Sequence, residues 1–122
     1  MPSQWGNLPE RICAIANRLK DTQIENMDAV KLIRKYNDPR CLIYADPPYL
    51  TETRCQKIYA EEMTDEQHIA LLEALQAHRG PVVLSGYANE LYDNMLIGWE
   101  RVERQAQAER GQARTEVLWI KR

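Results

Sequence analysis

The sequence predicts an α/β fold, one sheet with flanking helices that ends in an antiparallel β-hairpin. Three observations carry that expectation. Segments of helical period alternate with strand-like runs as far as Met95. The short run 41–45 is apolar without alternation, as expected of a strand covered on both faces, and 82–85 reads as a short buried strand. Finally, 99–107 and 114–121 read as two strands joined by a polar, Gly-containing connection at 108–113.

Residues 1–7 are polar and irregular apart from Trp5. Leu8, Ile12, Ile15, Ala16 and Leu19 then share one face of a helix of about three turns, with Pro9 suited to its first turn. A strand candidate at 21–25 centres on Ile24. A second helix is expected from Asn26 or Met27 through Tyr36, with Val30 and Ile33 inward and Asn37-Asp38-Pro39 ending it. After the run at 41–45, residues 51–63 lack a clean period and are expected as a loop, with or without a short helix. Thr64 and Gln67 have capping-box spacing, and Asp65 and Glu66 suit the positive end of the helix dipole. That helix is expected through His78 with Ile69, Leu72 and Leu75 inward, and Gly80-Pro81 stops it. Gly86 and Tyr87 follow the strand at 82–85, and 89–95 reads as a short helix with Leu91, Met95 and Leu96 inward. In the last strand Val117 and Trp119 alternate with Leu118 and Ile120, so both faces are apolar and the strand is expected inside the sheet. Trp99 and Trp119 are expected as hairpin core.

At 122 residues the chain fits a single domain, 1–122. Its 44% hydrophobic and 28% charged residues are those of an ordinary globular protein. With 16 basic and 18 acidic residues there is no global positive field, so any nucleic acid must be held by a local patch or by another segment. Three cysteines, Cys13, Cys41 and Cys55, without Cys-x-x-Cys spacing argue against a disulfide framework and a zinc site. Neither His68 nor His78 has other ligands at metal spacing, so no metal is assigned. No apolar run approaches the ~20 residues of a membrane span, and no signal pattern opens the chain. A cytoplasmic protein without a membrane partner is expected.

Chemistry concentrates at Leu42-Ile43-Tyr44-Ala45-Asp46-Pro47-Pro48-Tyr49-Leu50. Pro47 and Pro48 cannot continue a central strand, so Asp46 and Tyr49 are presented at a strand's carboxyl end. Ligands of open α/β sheets bind there. A carboxylate and backbone carbonyls beside an aromatic face accept hydrogen bonds from an amino group and stack on its ring, which suits a planar nitrogenous base. The plainer alternative is a strand, a rigid turn and a core tyrosine. Ser85 has no flanking nucleophile-elbow pattern and no positioned His, which argues against a hydrolase.

Over most of its length the chain resembles the C-terminal part of the Dam-like (D12 class) DNA adenine-N6 methyltransferases. The similar residues include Ile24 to Ala29, Leu42 to Leu50, Thr53-Arg54, Tyr59, Glu62-Met63, His68, Val82 to Tyr87, Leu91-Tyr92-Asp93 and Thr115 to Ile120. The resemblance implies a partial Rossmann-like sheet and S-adenosylmethionine-dependent methylation of adenine N6 in DNA. It implies Asp46, Pro47, Pro48 and Tyr49 as catalytic residues, and Asn26, Met27 and Asp46 as cofactor contacts. Tyr49, Arg54 and Tyr87 would meet the substrate, although Arg54 and Lys57 also fit a solvated loop and Tyr87 fits core packing. Asp-Pro-Pro-Tyr also occurs in methyltransferases of guanine amines in RNA, and a non-catalytic remnant or oligomeric interaction module is a further alternative.

The family's glycine-rich cofactor turn, acidic ribose ligand and target-recognition region have no counterpart here, since Gly6, Gly80, Gly86, Gly98 and Gly111 are isolated. The chain is therefore expected to hold a C-terminal catalytic subdomain, truncated or split, with an incomplete site for the cofactor. The family's sheet sets the strand carrying Asp46 beside the glycine-loop strand. Without that neighbour the strand at 41–45 is expected as an apolar edge, covered by a second copy, by a separately encoded N-terminal half or by rearranged residues 1–27.

Overall fold

A computed structural model describes residues 4–48, 63–107 and 113–122. A 3-10 turn, Gln4–Asn7, leads into α1 (Leu8–Leu19), α2 (Ala29–Lys35), β1 (Ile43–Ala45), α3 (Asp65–Ala77), β2 (Val82–Tyr87), α4 (Glu90–Met95), β3 (Glu100–Gln107) and β4 (Ala113–Lys121). The sheet has the order β1-β2-β4-β3. β1 and β2 are parallel, with Ala45 opposite Leu84, while β4 runs antiparallel to both β2 and β3. The α/β class and the terminal hairpin are those expected, and β4 is internal.

Local chemistry explains where the elements start and stop. Thr64 caps α3 by accepting from the Gln67 amide, and the Gln67 side chain accepts from the Thr64 amide, a complete capping box. Asn89 caps α4 through the Tyr92 amide. α2 begins later than Asn26 or Met27, because Asp28 accepts from the Lys31 amide and fixes the first turn at Ala29. Residues 21–25 form no strand: Ile24 is 92% exposed among polar neighbours and no described strand lies beside it. β2 runs on through Gly86 and Tyr87, which pair with Val117 and Glu116 instead of following the strand.

The core lies on one face of the sheet. Val82, Leu84, Val117 and Trp119 alternate inward and meet Ile33 of α2, Leu71, Leu72, Ala74 and Leu75 of α3, and Tyr92 and Leu96 by α4. Trp99 is half-buried against this cluster, and Ile69 is half-buried where full burial was expected. Leu71 and His68 take the inward positions on α3.

The other face corrects the expectation that the strand at 41–45 is covered on both sides. Tyr44, Val83, Ser85, Leu118, Ile120 and Val102 point that way by register, and no described element covers them. Tyr44 is 64% exposed and Val102 48% exposed. α1 does not cover this face. It has no buried residue and packs chiefly against the 3-10 turn before it.

Candidate functional site at the end of β1

Asp46 follows β1 directly, and the half-buried Pro47 and Pro48 end the strand. Because β1 and β2 are parallel with Ala45 opposite Leu84, the next residues along, Asp46 and Ser85, meet across the strand ends. The Ser85 hydroxyl donates to Asp46 Oδ1 at 2.8 Å. One carboxylate oxygen is thereby oriented by the protein, and the exposed carboxylate keeps further acceptor capacity on Oδ2.

The pair opens onto a cleft of about 400 Å³ on the uncovered face, lined in part by Tyr44, Asp46, Ser85, Arg104, Glu116 and Leu118. Arg104 and Glu116 stand opposite each other in the β3–β4 register. The exposed ring of Tyr44 is two residues before Asp46, on the same side. Tyr44 also lines a second cleft of about 450 Å³ with Glu25, Leu32, Tyr36 and Leu42, alongside the β1 edge. β1 is the end strand of the described sheet.

The predicted site residues are only partly brought together. Asp46, Pro47 and Pro48 sit where expected, at a strand's carboxyl end. Tyr87 points to the open face two residues beyond Ser85, but does not line the Asp46 cleft. Tyr49 and Arg54 lie outside the described residues, as do Lys57, Tyr59, Cys55 and nearly all of the loop expected at 51–63. Asn26 and Met27 are exposed in the irregular stretch before α2 and line neither cleft. Of the predicted site residues, Asp46 alone lines the cleft beside Ser85 among the described residues.

Ser85 and Tyr44 were not singled out from the sequence as partners of Asp46. The signal for Tyr44 was its period-2 spacing from Asp46. For Ser85 it was its place at the end of the next parallel strand, which requires the register.

Behind the sheet, His68 Nδ1 lies 2.7 Å from the Tyr92 hydroxyl, and the Trp119 indole donates to Asp93 Oδ1 at 3.1 Å. Burial pushes the His68 imidazole below its ordinary pKa and the Tyr92 phenol above its own. His68 is fully buried and separated from the Asp46 cleft by the sheet, so this cluster is core. Among the described residues no group of acidic, His and Cys side chains could hold a metal ion, and no helix is long and apolar enough to cross a membrane.

The family model described as D12 class N6 adenine-specific DNA methyltransferase matches residues 6–109. No curated protein matches the chain.

Proposed function

The chain belongs to the D12 class N6 adenine-specific DNA methyltransferase family, and from that premise we propose that Asp46 binds the exocyclic amine of adenine in DNA for methylation at N6. The observation that carries this reading is the carboxylate at the β1 end, oriented by Ser85 and open to a cleft. Adenine N6 is a poor nucleophile because its lone pair is delocalised into the ring. With its two N–H groups donating to the Asp46 carboxylate and the Pro47 carbonyl, N6 pyramidalises and its lone pair becomes available. The interaction strengthens as N6 gains positive charge, so it favours the transition state over the ground state. Ser85 holds Oδ1 and leaves Oδ2 to the amine. Flipping the base out of the duplex costs a few kcal/mol, and stacking on Tyr49, about 1–3 kcal/mol per base, offsets much of it.

The family uses S-adenosylmethionine as methyl donor. Asn26 and Met27, the contacts implied by resemblance, do not line the Asp46 cleft. The edge of β1 at 41–45 is the proposed place for a further strand that completes the sheet. It would come from a second copy or from a separately encoded donor-binding half. The same observation on Asn26 and Met27 favours, as a second reading, a non-catalytic interaction module.

Labelled S-adenosylmethionine and duplex DNA, followed by nucleoside analysis, test the first reading. In an enzyme completed by its donor-binding half, wild type is expected to form N6-methyladenine, Asp46→Ala none, and Tyr49→Phe much of the wild-type amount. Full activity in Asp46→Ala would sink the assignment. Parallel titration calorimetry with the donor separates the readings: neither heat nor product leaves the interaction module, and product on guanine in RNA moves the substrate class.

A further inference from the structure

The hydroxyl that holds Asp46 bears on which amine the carboxylate can take. Ser85 belongs to β2, which lies between β1 and β4, and it stands in register with Leu118. Asp46 has already left β1, and Ser85 is its hydrogen-bonding partner among the described residues. The more firmly held residue therefore orients the less firmly held one.

Ser85 has one proton and two acceptors within reach. Its Oγ lies 2.8 Å from Asp46 Oδ1 and 3.5 Å from the Ala45 carbonyl oxygen. A short bond to a carboxylate is stronger than a long one to a neutral carbonyl, so the proton is directed at Oδ1.

An unencumbered carboxylate offers two equivalent oxygens side by side and accepts bidentately from two adjacent donors. Guanine presents such a pair on its pairing edge, a ring N–H beside the exocyclic amine. In adenine the ring nitrogen beside the N6 amine carries a lone pair and no hydrogen. The two purines differ too little in size for a cleft of about 400 Å³ to separate them. The hydroxyl supplies a difference. For guanine to use both oxygens, Oδ1 would have to accept from the ring N–H and from Ser85 at once. Otherwise the hydroxyl would have to turn to Ala45, exchanging its short charge-assisted bond for the long neutral one. Adenine needs only Oδ2, and its ring lone pair is repelled less by an Oδ1 whose charge is drawn toward a hydroxyl proton.

We propose that Ser85 sets the base specificity of Asp46, favouring an amine beside a bare ring nitrogen and disfavouring guanine. It acts through Asp46 as a positioning residue, and the inference rests on the reading of Asp46 as the amine acceptor. Cytosine, whose amine also adjoins a bare ring nitrogen, is not rejected by this device.

Nuclear magnetic resonance titration of the full chain with dAMP and with dGMP tests it, read at the isotope-labelled Asp46 carboxyl carbon. Loss of the resonance in Asp46→Ala identifies it. Wild type should bind dAMP at Asp46 more tightly than dGMP, and Ser85→Ala should narrow that ratio about five- to tenfold. Ser85→Cys, near in size but a weak donor, should move the same way. Ser85→Thr keeps a hydroxyl on a side chain suited to a strand and should keep the wild-type ratio. Without nucleotide, the carboxyl resonance should shift in Ser85→Ala and return in Ser85→Thr, a signature that a merely structural role would not give. A ratio unchanged in Ser85→Ala, or a wild type that prefers dGMP, would overturn the inference while leaving Asp46 an amine acceptor. A resonance that neither nucleotide moves would overturn it together with that reading.

Discussion

His68 is an imidazole at 0% exposure whose hydrogen-bonding partner among the described residues is Tyr92, and burial holds its pKa below 6.5. As pH falls, the unfolded chain takes up a proton at this position before the folded one does. Stability is therefore flat above the unfolded value and declines as pH is lowered from 6.5 through the depressed folded value. The slope is limited to one proton, about 1.4 kcal/mol per pH unit. Urea unfolding between about pH 7.5 and pH 5 should show a shallower decline for His68→Gln than for wild type, and equal slopes would refute the assignment. A second residue is constrained by space. A methyl group on Gly80 would press into the Cys41 carbonyl oxygen and lie 2.7 Å from that of Asp38, in the turn that delivers β1. Gly80→Ala should cost about 1–3 kcal/mol in urea unfolding, whereas Gly6→Ala, with open space around it, should cost far less. Such roles were illegible from the sequence because they depend on contacts across long separations. Asp46 was legible because two prolines beside it announce a strand end; Ser85 was not, because its meeting with Asp46 needs the parallel register.

At the scale of elements, α3 shows which devices a sequence exposes and which it hides. The Thr64–Gln67 capping box is local, three residues apart, and was readable. The other end of the same helix is held from far away. Lys121 of β4 donates to the Leu75, Gln76 and His78 carbonyl oxygens and lies 5.8 Å from the centre of the Trp99 ring. An ammonium there satisfies orphan carbonyls and opposes the negative end of the dipole, although burial pushes its own pKa down. His78, at the end of the same helix, turns its ring to the Cys41 carbonyl oxygen at 2.7 Å. Thr64→Ala should cost about 1 kcal/mol, and Lys121→Met about 1–2 kcal/mol. Because the two groups act at opposite ends of a 13-residue helix, the double variant's loss in thermal or urea unfolding should be additive within about 0.5 kcal/mol. Strong non-additivity would mean that the two ends act through one shared rearrangement. The unformed strand at 21–25 and the late start of α2 have a common origin. One isoleucine among polar residues cannot hold a strand without a neighbour, and Asp28 captures the chain for the helix instead.

In the whole molecule, the alternation of helices and strands made the α/β class and the hairpin readable, but the pattern could not say how many faces of the sheet this chain covers by itself. The unbroken apolar run at 41–45 gave the expectation of double coverage. The structure supplies one helix layer, with Ile33, Leu72, Leu75 and Leu96 against Val82, Leu84, Val117 and Trp119. The patterning of the strands thus records a buried environment larger than the described fold, and α1 is built to the same specification, with an apolar stripe and no buried residue. Among the described residues the buried core is supplied by α2, α3, α4 and the sheet. α1 has no buried residue, so it is expected to contribute through association, and association makes a thermal midpoint depend on concentration. A chain without residues 4–20 should match the full chain's midpoint at high dilution. As concentration rises, the full chain's midpoint should climb by several degrees, while that of the shortened chain stays level. Differential scanning fluorimetry over a hundredfold range of concentration checks both parts. A shortened chain that melts much earlier even at the lowest concentration would show that α1 stabilises its own sheet. Parallel curves that both rise would place the association elsewhere, such as the end strands β1 and β3 of the described sheet.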